Sequence, residues 1–322
     1  MTAYEQRFIK MLTYDYPDEI PVSCWVVPAA WLRRFDDMKR LAAEFPEYIP
    51  HVPDLSKPET FMPQTYRVGK HVDAWGCIWS NVEEGLEALV TGHPVPSRED
   101  IRALEIPTEI DGIFRHGFMY LRLLDLRGFE ESMLDFADEC EELQILIDKV
   151  VEYNLRQAEA ALPRYAKGEL VTFGDDLGMQ NALAIGAEKW RKYLKPAFTK
   201  IFEPFKRKGC YVYMHTDGWI LDIINDLHEC GADVINPQSG ANGLDNIARI
   251  CRGRIPIDID LDRQLTPFAT PSQIDDHVRE CVETLSIPSG GLGLKTDINF
   301  DVPTDNIAAL LEACRKYSKI KK

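Results

Sequence analysis

The chain has 322 residues, 45% of them apolar and 28% charged, a composition that excludes a mainly disordered chain, a collagen and a coiled-coil rod. No run approaches the roughly 18 consecutive apolar residues of a membrane span, and the first residues lack the apolar core of a signal peptide, so we expect a cytoplasmic protein without a membrane partner. The formal net charge of −15 repels phosphate backbones, so we expect no nucleic-acid partner.

Eight cysteines are scattered along the chain without a CxxC pair or a zinc-ribbon spacing. Most stand in apolar stretches, as Cys210 does before Tyr211. Free cysteine in such a setting is commonly a small core residue, so we expect reduced thiols rather than a disulfide framework.

The first 110 residues are irregular and rich in proline. Ile20 to Val27 predicts a strand, residues 45–65 with their five prolines predict a loop, and Val72 to Ser80 predicts a short aromatic strand or hairpin arm. This part of the chain therefore lacks the regular alternation that begins further on.

After Phe114, short apolar segments alternate with longer amphipathic ones. The short segments predict strands at 169–173, 211–214, 233–236, 255–259 and 290–294. The longer segments predict helices at 140–162, from about 187 to Gly209 with a kink at Pro196, and at 219–230, 244–251, 272–285 and 304–317.

This alternation predicts right-handed βαβ units and a parallel sheet. Five strand–helix steps follow residue 165, and the earlier part has room for about three more, so we predict an α/β protein of the (β/α)8 TIM barrel type. We expect a single domain in which residues 1–110 form an elaborated N-terminal extension with the first barrel strand and residues 111–322 form the remainder. An open doubly wound sheet is the alternative, but no glycine fingerprint follows an early strand.

The active site of such a barrel lies at the carboxyl ends of its strands, where this sequence places polar side chains. They lie around the ends of five successive strands and comprise Asp175 and Asp176, His215 and Asp217, Asn236 and Gln238, Asp258, Asp260 and Asp262, and Thr296 and Asp297. Strand alternation puts Asp258 and Asp260 on one face, where two carboxylates need partners. The pattern predicts a shared pocket without naming a reaction.

Each of these residues also has a structural interpretation. Asp175 suits a helix cap, His215 suits a core histidine bonded to a backbone carbonyl, and Asp217 before a glycine suits a turn. The aromatic residues Trp25, Trp75 and Phe173, with Met179, suit either a cavity wall or plain core. For the basic pair Arg115–His116 we predict a place on the exposed face of a helix.

Several motifs of the second half carry a family resemblance. Residues 173–196 read FGDDLGMQNALAIGAEKWRKYLKP, followed by MHTDG at 214–218, GADVINPQ at 231–238 and DVPTDNIAALLEA at 301–313. In combination they resemble the uroporphyrinogen decarboxylase superfamily and, more narrowly, its branch of corrinoid-dependent methyltransferases. The resemblance covers most of the chain and implies a (β/α)8 barrel.

The resemblance implies one of two chemistries. Uroporphyrinogen decarboxylases carry an arginine-rich signature after the first strand, and VSCWVVPAAWLRR at 22–34 lacks it. Members that methylate a thiol hold zinc with a His-x-Cys pair and a later Cys. Here His215 matches the histidine, Asp217 stands at the Cys position, and Thr296 and Asp297 stand at the later one, so the zinc site left open is one of His215 and Asp217.

The resemblance thus implies a methyltransferase that takes a methyl group from a small donor, a methoxy-arene or another methyl ether or amine, to cobalt(I) of a corrinoid (cobalamin) on a partner protein. An alkoxide leaves poorly unless a proton or Lewis acid meets its charge, a role for Asp175, Asp176, His215 and Asp217. The expected substrate contacts are Trp25, Trp75, Phe173, Met179, Gln180, Asn236, Gln238, Asp258 and Asp260. The alternatives are a decarboxylase of a small carboxylic acid and a non-catalytic binding protein, and the sequence allows a homodimer.

Overall fold

The computed structural model describes residues 2–319. Its strands are β1 (Val22–Val26), β2 (Gly69–Val72), β3 (Ile78–Asn81), β4 (Leu89–Gly92), β5 (Leu170–Gly174), β6 (Tyr211–His215), β7 (Val234–Asn236), β8 (Ile257–Asp260) and β9 (Leu292–Ile298). Its α-helices are α1 (Ala3–Leu12), α2 (Pro28–Arg33), α3 (Phe35–Glu44), α4 (Arg98–Ala103), α5 (Tyr120–Arg127), α6 (Phe129–Asp138), α7 (Glu141–Ala161), α8 (Gly186–Lys189), α9 (Lys195–Lys208), α10 (Ile224–Glu229), α11 (Ser239–Asn242), α12 (Leu244–Cys251), α13 (Pro271–Leu285) and α14 (Thr304–Tyr317).

These elements form two compact units. The first combines the N-terminal segment that ends at His71, the segment Ser80–Leu89 and the C-terminal segment that begins at Gln238. The second consists of Val72–Trp79 and Val90–Pro237. The first unit therefore combines N-terminal and C-terminal segments, and the division at residue 110 stays a prediction.

In the first unit, β9 lies between β1 and β8 and runs parallel to both. The register aligns Val22, Leu294 and Ile259 in one buried apolar row. Because successive strand residues point to opposite faces, the next row presents Lys295 and Asp260 on the other face. Ile298, four residues after Leu294 and on the same face of β9, belongs to a core with the buried helix residues Trp31, Phe45, Ile307 and Leu311.

In the second unit, β6 lies between β5 and β7, again with parallel pairing. Phe173, Met214 and Ile235 form a buried apolar row across the three strands. The ring of Phe173 packs 4.8 Å from that of Phe202 in α9, and α9 packs against α7. Helices therefore cover this face of the strands, as the amphipathic pattern of α7 and α9 predicts.

The strands and helices expected after residue 165 are confirmed in type, although β9 runs to Ile298, past the expected end at residue 294, and therefore contains Thr296 and Asp297. Two further segments differ locally. The helix expected at 219–230 is confined to Ile224–Glu229, because the backbone N–H of Trp219 donates to Met179 in another loop (2.8 Å). Instead of a simple kink, a π-helical turn at Trp190–Leu194 precedes Pro196. Proline has no N–H and its ring crowds the preceding turn, which favours this widened geometry.

The prediction of eight barrel strands is met only in part. The described residues supply six parallel strands, three in each unit, in a mixed α/β arrangement compatible with a TIM-barrel-like fold. Between β1 and β5, where further barrel strands were expected, the chain forms helices and a separate sheet of β2, β3 and β4. A closed eight-stranded barrel is therefore not confirmed.

The cysteine prediction is confirmed, since all eight cysteines are free and six of them are buried. Within residues 2–319, no helix combines the length and the apolar character that crossing a membrane requires.

Leu311 in α14 provides a test of the core of the first unit. It is fully buried, and Leu311→Ala is expected to lower the free energy of unfolding by about 2–5 kcal/mol, because it removes buried apolar contacts and leaves a cavity. The control Leu89→Ala, at a side chain that is 74% exposed, should change it by less than about 0.5 kcal/mol. Urea denaturation measures both variants, and equal effects would contradict this placement of the core.

Candidate active site

Three residues stand side by side at the carboxyl ends of β5, β6 and β7. The register aligns Gly174 with His215 and His215 with Asn236, so all three belong to one face of the second unit's strands. Gly174 contributes no side chain, and the ring of His116 occupies the space beside it. A Cβ atom at residue 174 would lie 2.7 Å from Nδ1 of His116, so this approach requires glycine.

His116 reaches this position from the loop before α5. The backbone N–H of the next residue, Gly117, donates to the carbonyl of Gly174 (2.8 Å) and ties the loop to the end of β5. Nε2 of His116 then lies 3.2 Å from Oδ2 of Asp176, and the ring centroids of His116 and His215 are 5.5 Å apart. Sequence analysis placed His116 on an exposed helix face, which is wrong, because a histidine in an irregular loop gives no local signal of the strand beside it.

His215 is oriented by a buried amide. Its Nδ1 lies 2.5 Å from Oδ1 of Asn236, and because the amide oxygen can only accept, Nδ1 carries the proton and donates it. Asn236 is fully buried, which holds this contact in place. The other ring nitrogen, Nε2, therefore faces two carboxylates: Oδ1 of Asp217 at 3.5 Å and Oδ1 of Asp176 at 3.9 Å.

The loops after β5 and β6 hold the two carboxylates together. The backbone N–H of Asp217 donates to Oδ1 of Asp176 (3.1 Å), and the N–H of Gly178 donates to the carbonyl of Asp217 (3.2 Å). Gly218 has a φ of +82°, and a Cβ there would lie 2.1 Å from the carbonyl oxygen of Gly178. Only glycine allows these two backbones to approach so closely.

We call His116, Asp176, His215 and Asp217 the imidazole–carboxylate cluster. Burial alone would raise the pKa of Asp176, but the hydrogen bond from His116 and the attraction of both imidazoles outweigh it and hold the pKa below its ordinary value. Asp176 is therefore a carboxylate near neutral pH, able to accept protons in hydrogen bonds or to bind a cation.

Asp175 has a different role from its neighbour. Its fully buried carboxylate accepts backbone N–H groups of Met119, Tyr120 and Leu121, and so caps the N-terminus of α5. Burial raises its pKa to about 7 against the opposing effect of these hydrogen bonds. Sequence analysis suggested Asp175 as the cap of the helix that follows it, whereas the structure shows that it caps α5, which precedes it, and we remove Asp175 from the catalytic set.

The second unit separates the remaining candidates into core and surface. Phe173 lies on the opposite face of β5, in the aromatic core, and the buried ring of Trp75 packs against Tyr153 at 5.1 Å. We therefore remove both from the substrate-contact set, because neither is open to a ligand. Met179 and Gln180 are exposed in the loop after β5 and remain candidates.

The first unit carries a separate group of charged side chains. Arg263 lies 3.0 Å from Asp260 and 3.2 Å from Asp297, and Nζ of Lys295 lies 3.5 Å from Asp297. Both of those carboxylates and that of Asp258 are buried. Two cations and three carboxylates therefore share the polar face of β8 and β9.

The two other candidates of the first unit lie near these carboxylates. Trp25 stands opposite Asp297 in the register of β1 and β9 and is 45% exposed, which leaves its ring accessible. Gln238 forms an isolated parallel bridge with Asp260. Both remain predicted substrate contacts.

Nitrogen and oxygen ligands, rather than sulfur, are the donors available for a metal. The ligand atoms of His116, Asp176 and His215 all lie within 4.8 Å of one another. Burial raises the pKa of the thiols of Cys24, Cys77, Cys210, Cys230, Cys251, Cys281 and Cys314, which disfavours the thiolate that a metal requires.

The cap made by Asp175 leads to a stability prediction. Asp175→Asn is expected to lower the free energy of unfolding by about 1–3 kcal/mol, because the amide puts N–H donors where the carboxylate accepts them and leaves a buried N–H of α5 unpaired. Asp301→Asn, at an exposed residue, is the matched control. Chemical denaturation of both variants checks this, and an unchanged stability of Asp175→Asn would contradict the capping role.

Comparisons with known proteins address the family. A family model described as "Uroporphyrinogen decarboxylase (URO-D)" matches residues 123–317, more than half of the chain. A search of curated proteins gave no match. Among solved structures, one of two fungal beta-1,4-galactanases is 14% identical, with 48% of this chain and 59% of that chain covered and a TM-score of 0.31, a likeness too weak to carry an argument. The chain thus spans less than two thirds of that structure, whereas the family match shows that it belongs to the uroporphyrinogen decarboxylase superfamily.

Proposed function

We propose that this protein is a methyltransferase that moves a methyl group from a small donor to cobalt(I) of a corrinoid carried by a separate protein. The observation that carries the proposal is the imidazole–carboxylate cluster at the ends of β5 and β6, whose members are two imidazoles and two carboxylates. The superfamily includes both methyltransferases and decarboxylases, and this cluster suits the first chemistry better.

The difficulty of the reaction lies in the leaving group. The methyl carbon forms a bond to cobalt, its bond to oxygen or nitrogen breaks, and the electron pair of that bond stays on the heteroatom. Cobalt(I) supplies the attacking electron pair, so the enzyme must stabilise the charge that develops on the heteroatom. A preorganised positive charge at that atom lowers the barrier.

The cluster is built to hold such a positive charge. Nε2 of His215 faces Asp176 and Asp217, and both carboxylates stabilise a proton or a cation held there. Asn236 fixes the ring, so the charge stays in one place. Partial exposure of His116, Asp176 and Asp217 leaves the cluster open to a donor molecule.

A decarboxylase of a small carboxylic acid is the second candidate. It is favoured by Arg263 and Lys295 in the first unit, since a guanidinium and an ammonium group suit the carboxylate of a substrate. Both cations already face Asp260 or Asp297, so a substrate carboxylate would compete with protein carboxylates. Release of carbon dioxide without a corrinoid would identify this activity.

Substitution of His215 tests the methyltransferase. We expect the purified protein to convert reduced cobalamin to methylcobalamin with a methoxy-arene or a methylamine as donor, measured by the absorbance change of the corrinoid and by the demethylated product. His215→Ala should lower kcat/KM by about 100- to 10,000-fold, because the positive charge at the leaving atom is lost. Asp176→Asn should lower it in the same direction.

The exposed His51 provides the matched control, and His51→Ala should retain wild-type turnover. Absence of both products with every donor would contradict the methyltransferase. Full activity of His215→Ala would show that the cluster is not the reaction site.

A further inference from the structure

We propose that the imidazole–carboxylate cluster is a zinc site whose protein ligands are His116, His215 and Asp176, with one coordination position left open for the oxygen of a methyl ether. The metal site stands on geometry alone, whereas the ether as substrate rests on the proposed function. Among the described residues 2–319, this is the one group of at least three His, Cys, Asp or Glu side chains that brings its ligand atoms within 4.8 Å of one another.

The distances are close to those of a tetrahedral site. Zinc bonds to nitrogen and oxygen are about 2.0–2.2 Å long, which puts neighbouring ligand atoms about 3.4 Å apart. Nε2 of His116 lies 3.2 Å from Oδ2 of Asp176, and Nε2 of His215 lies 3.9 Å from Oδ1 of the same carboxylate. These two distances run to different oxygens of Asp176, and the three ligand atoms as a set lie within 4.8 Å of one another. Binding therefore needs neighbouring ligand atoms to approach by up to about 1.4 Å.

His215 makes the hydrogen bond that usually orients a metal-binding histidine, through the ring nitrogen that does not face the metal. Such a histidine donates its second ring N–H to an oxygen, which fixes the tautomer and leaves the other nitrogen free to coordinate. The bond from Nδ1 of His215 to Oδ1 of the buried Asn236 supplies this contact. Asp176 is oriented in turn by the backbone N–H of Asp217, which donates to its Oδ1 (3.1 Å).

His116 completes the set only because Gly174 makes room for it. A Cβ at residue 174 would lie 2.7 Å from Nδ1 of His116, and a second contact, from Gly117 to the carbonyl of Gly174, ties the histidine loop to β5. A side chain at residue 174 would therefore push the third ligand away without removing any ligand atom. Gly174 is a positioning residue for the metal.

Three protein ligands in an accessible place are typical of a catalytic zinc rather than a structural one. The side chains of His116 and Asp176 are 35% and 33% exposed, so water or substrate can reach the ion. Asp217 lies 3.5 Å from Nε2 of His215, near enough to bond to a water or substrate on the open position.

The donor set also indicates the substrate class. Two imidazoles and a carboxylate leave the ion a stronger Lewis acid than thiolates would, and such an ion polarises an oxygen atom. A metal held by these residues would stabilise the negative charge that an ether oxygen keeps when its bond to the methyl carbon breaks, and that oxygen would take a proton from water on release. A methyl ether therefore fits this site better than a methylamine.

Titration of chelator-treated, metal-free protein with zinc chloride tests the site by isothermal titration calorimetry and by competition with a chromophoric chelator. We expect one zinc ion per chain. His116→Ala, His215→Ala and Asp176→Asn should each weaken binding by about 100-fold or more, and Asn236→Ala by about 10- to 100-fold. Gly174→Ala should weaken zinc binding although all three ligands are present. Cobalt(II) bound to this variant in place of zinc should show an absorption spectrum that differs from that of cobalt(II) bound to the wild type.

His51→Ala is the matched control and should bind zinc as the wild type does. Circular dichroism of each metal-free variant separates loss of a ligand from loss of fold, and His116→Ala is the sharpest variant because His116 is partly exposed in a loop. Wild-type binding weaker than on the order of 10 µM, or wild-type affinity in any of the three ligand variants, would overturn the site.

The same experiments distinguish the two proposals. Zinc binding at these ligands without methyl transfer to cobalamin would leave the metal site intact and contradict the methyltransferase. Full methyl transfer by the metal-free protein would contradict a catalytic role of the metal and leave the methyltransferase intact. Faster transfer from methylamines than from methyl ethers would contradict the substrate class.

Discussion

The candidate site depends on the absence of one side chain. Where β5, β6 and β7 end side by side, His215 and Asn236 extend from their strands, whereas Gly174 leaves a gap that the ring of His116 fills. Two imidazoles can face Asp176 only because no Cβ stands at residue 174. The requirement is steric and local, because a Cβ at residue 174 would lie 2.7 Å from Nδ1 of His116.

Asp175 and Asp176 show how adjacent carboxylates acquire different roles. Asp175 is surrounded by backbone N–H groups of α5 without a charged partner in hydrogen-bond contact, and burial raises its pKa. Asp176 faces two imidazoles, and their attraction lowers its pKa despite burial. One residue holds a helix in place and the other can hold a cation, because the surroundings rather than the residue type set the charge.

Membership of the uroporphyrinogen decarboxylase superfamily narrows the chemistry without choosing it. The cluster of the second unit favours stabilisation of a leaving heteroatom, whereas Arg263 and Lys295 of the first unit suit a carboxylate. The nitrogen and oxygen donors of the second unit's cluster differ from the sulfur donors that the resemblance implies for thiol-methylating members. The side chains at this site therefore depart from that pattern, although the chain belongs to the superfamily.

Most strands and helices after residue 165 could be predicted from local residue patterns. The spacing of apolar residues and the capping of helices both depend on residues that are close together in the sequence. The helix Thr304–Tyr317 and the capping box of Thr270 with Gln273 follow from this. Placement of His215, Asp217 and Asp176 at strand ends follows as well, since β6 ends at His215 and each aspartate lies two residues past the end of a strand.

Three features became evident only from the folded structure. They are the number of parallel strands, the cap that Asp175 makes on α5, and the position of His116 beside Gly174 and Asp176. Asp175 lies 54 residues from Leu121, whose N–H it accepts, and His116 meets a strand end far along the chain. Such contacts depend on which segments become neighbours after folding, and no local pattern of residues encodes that choice.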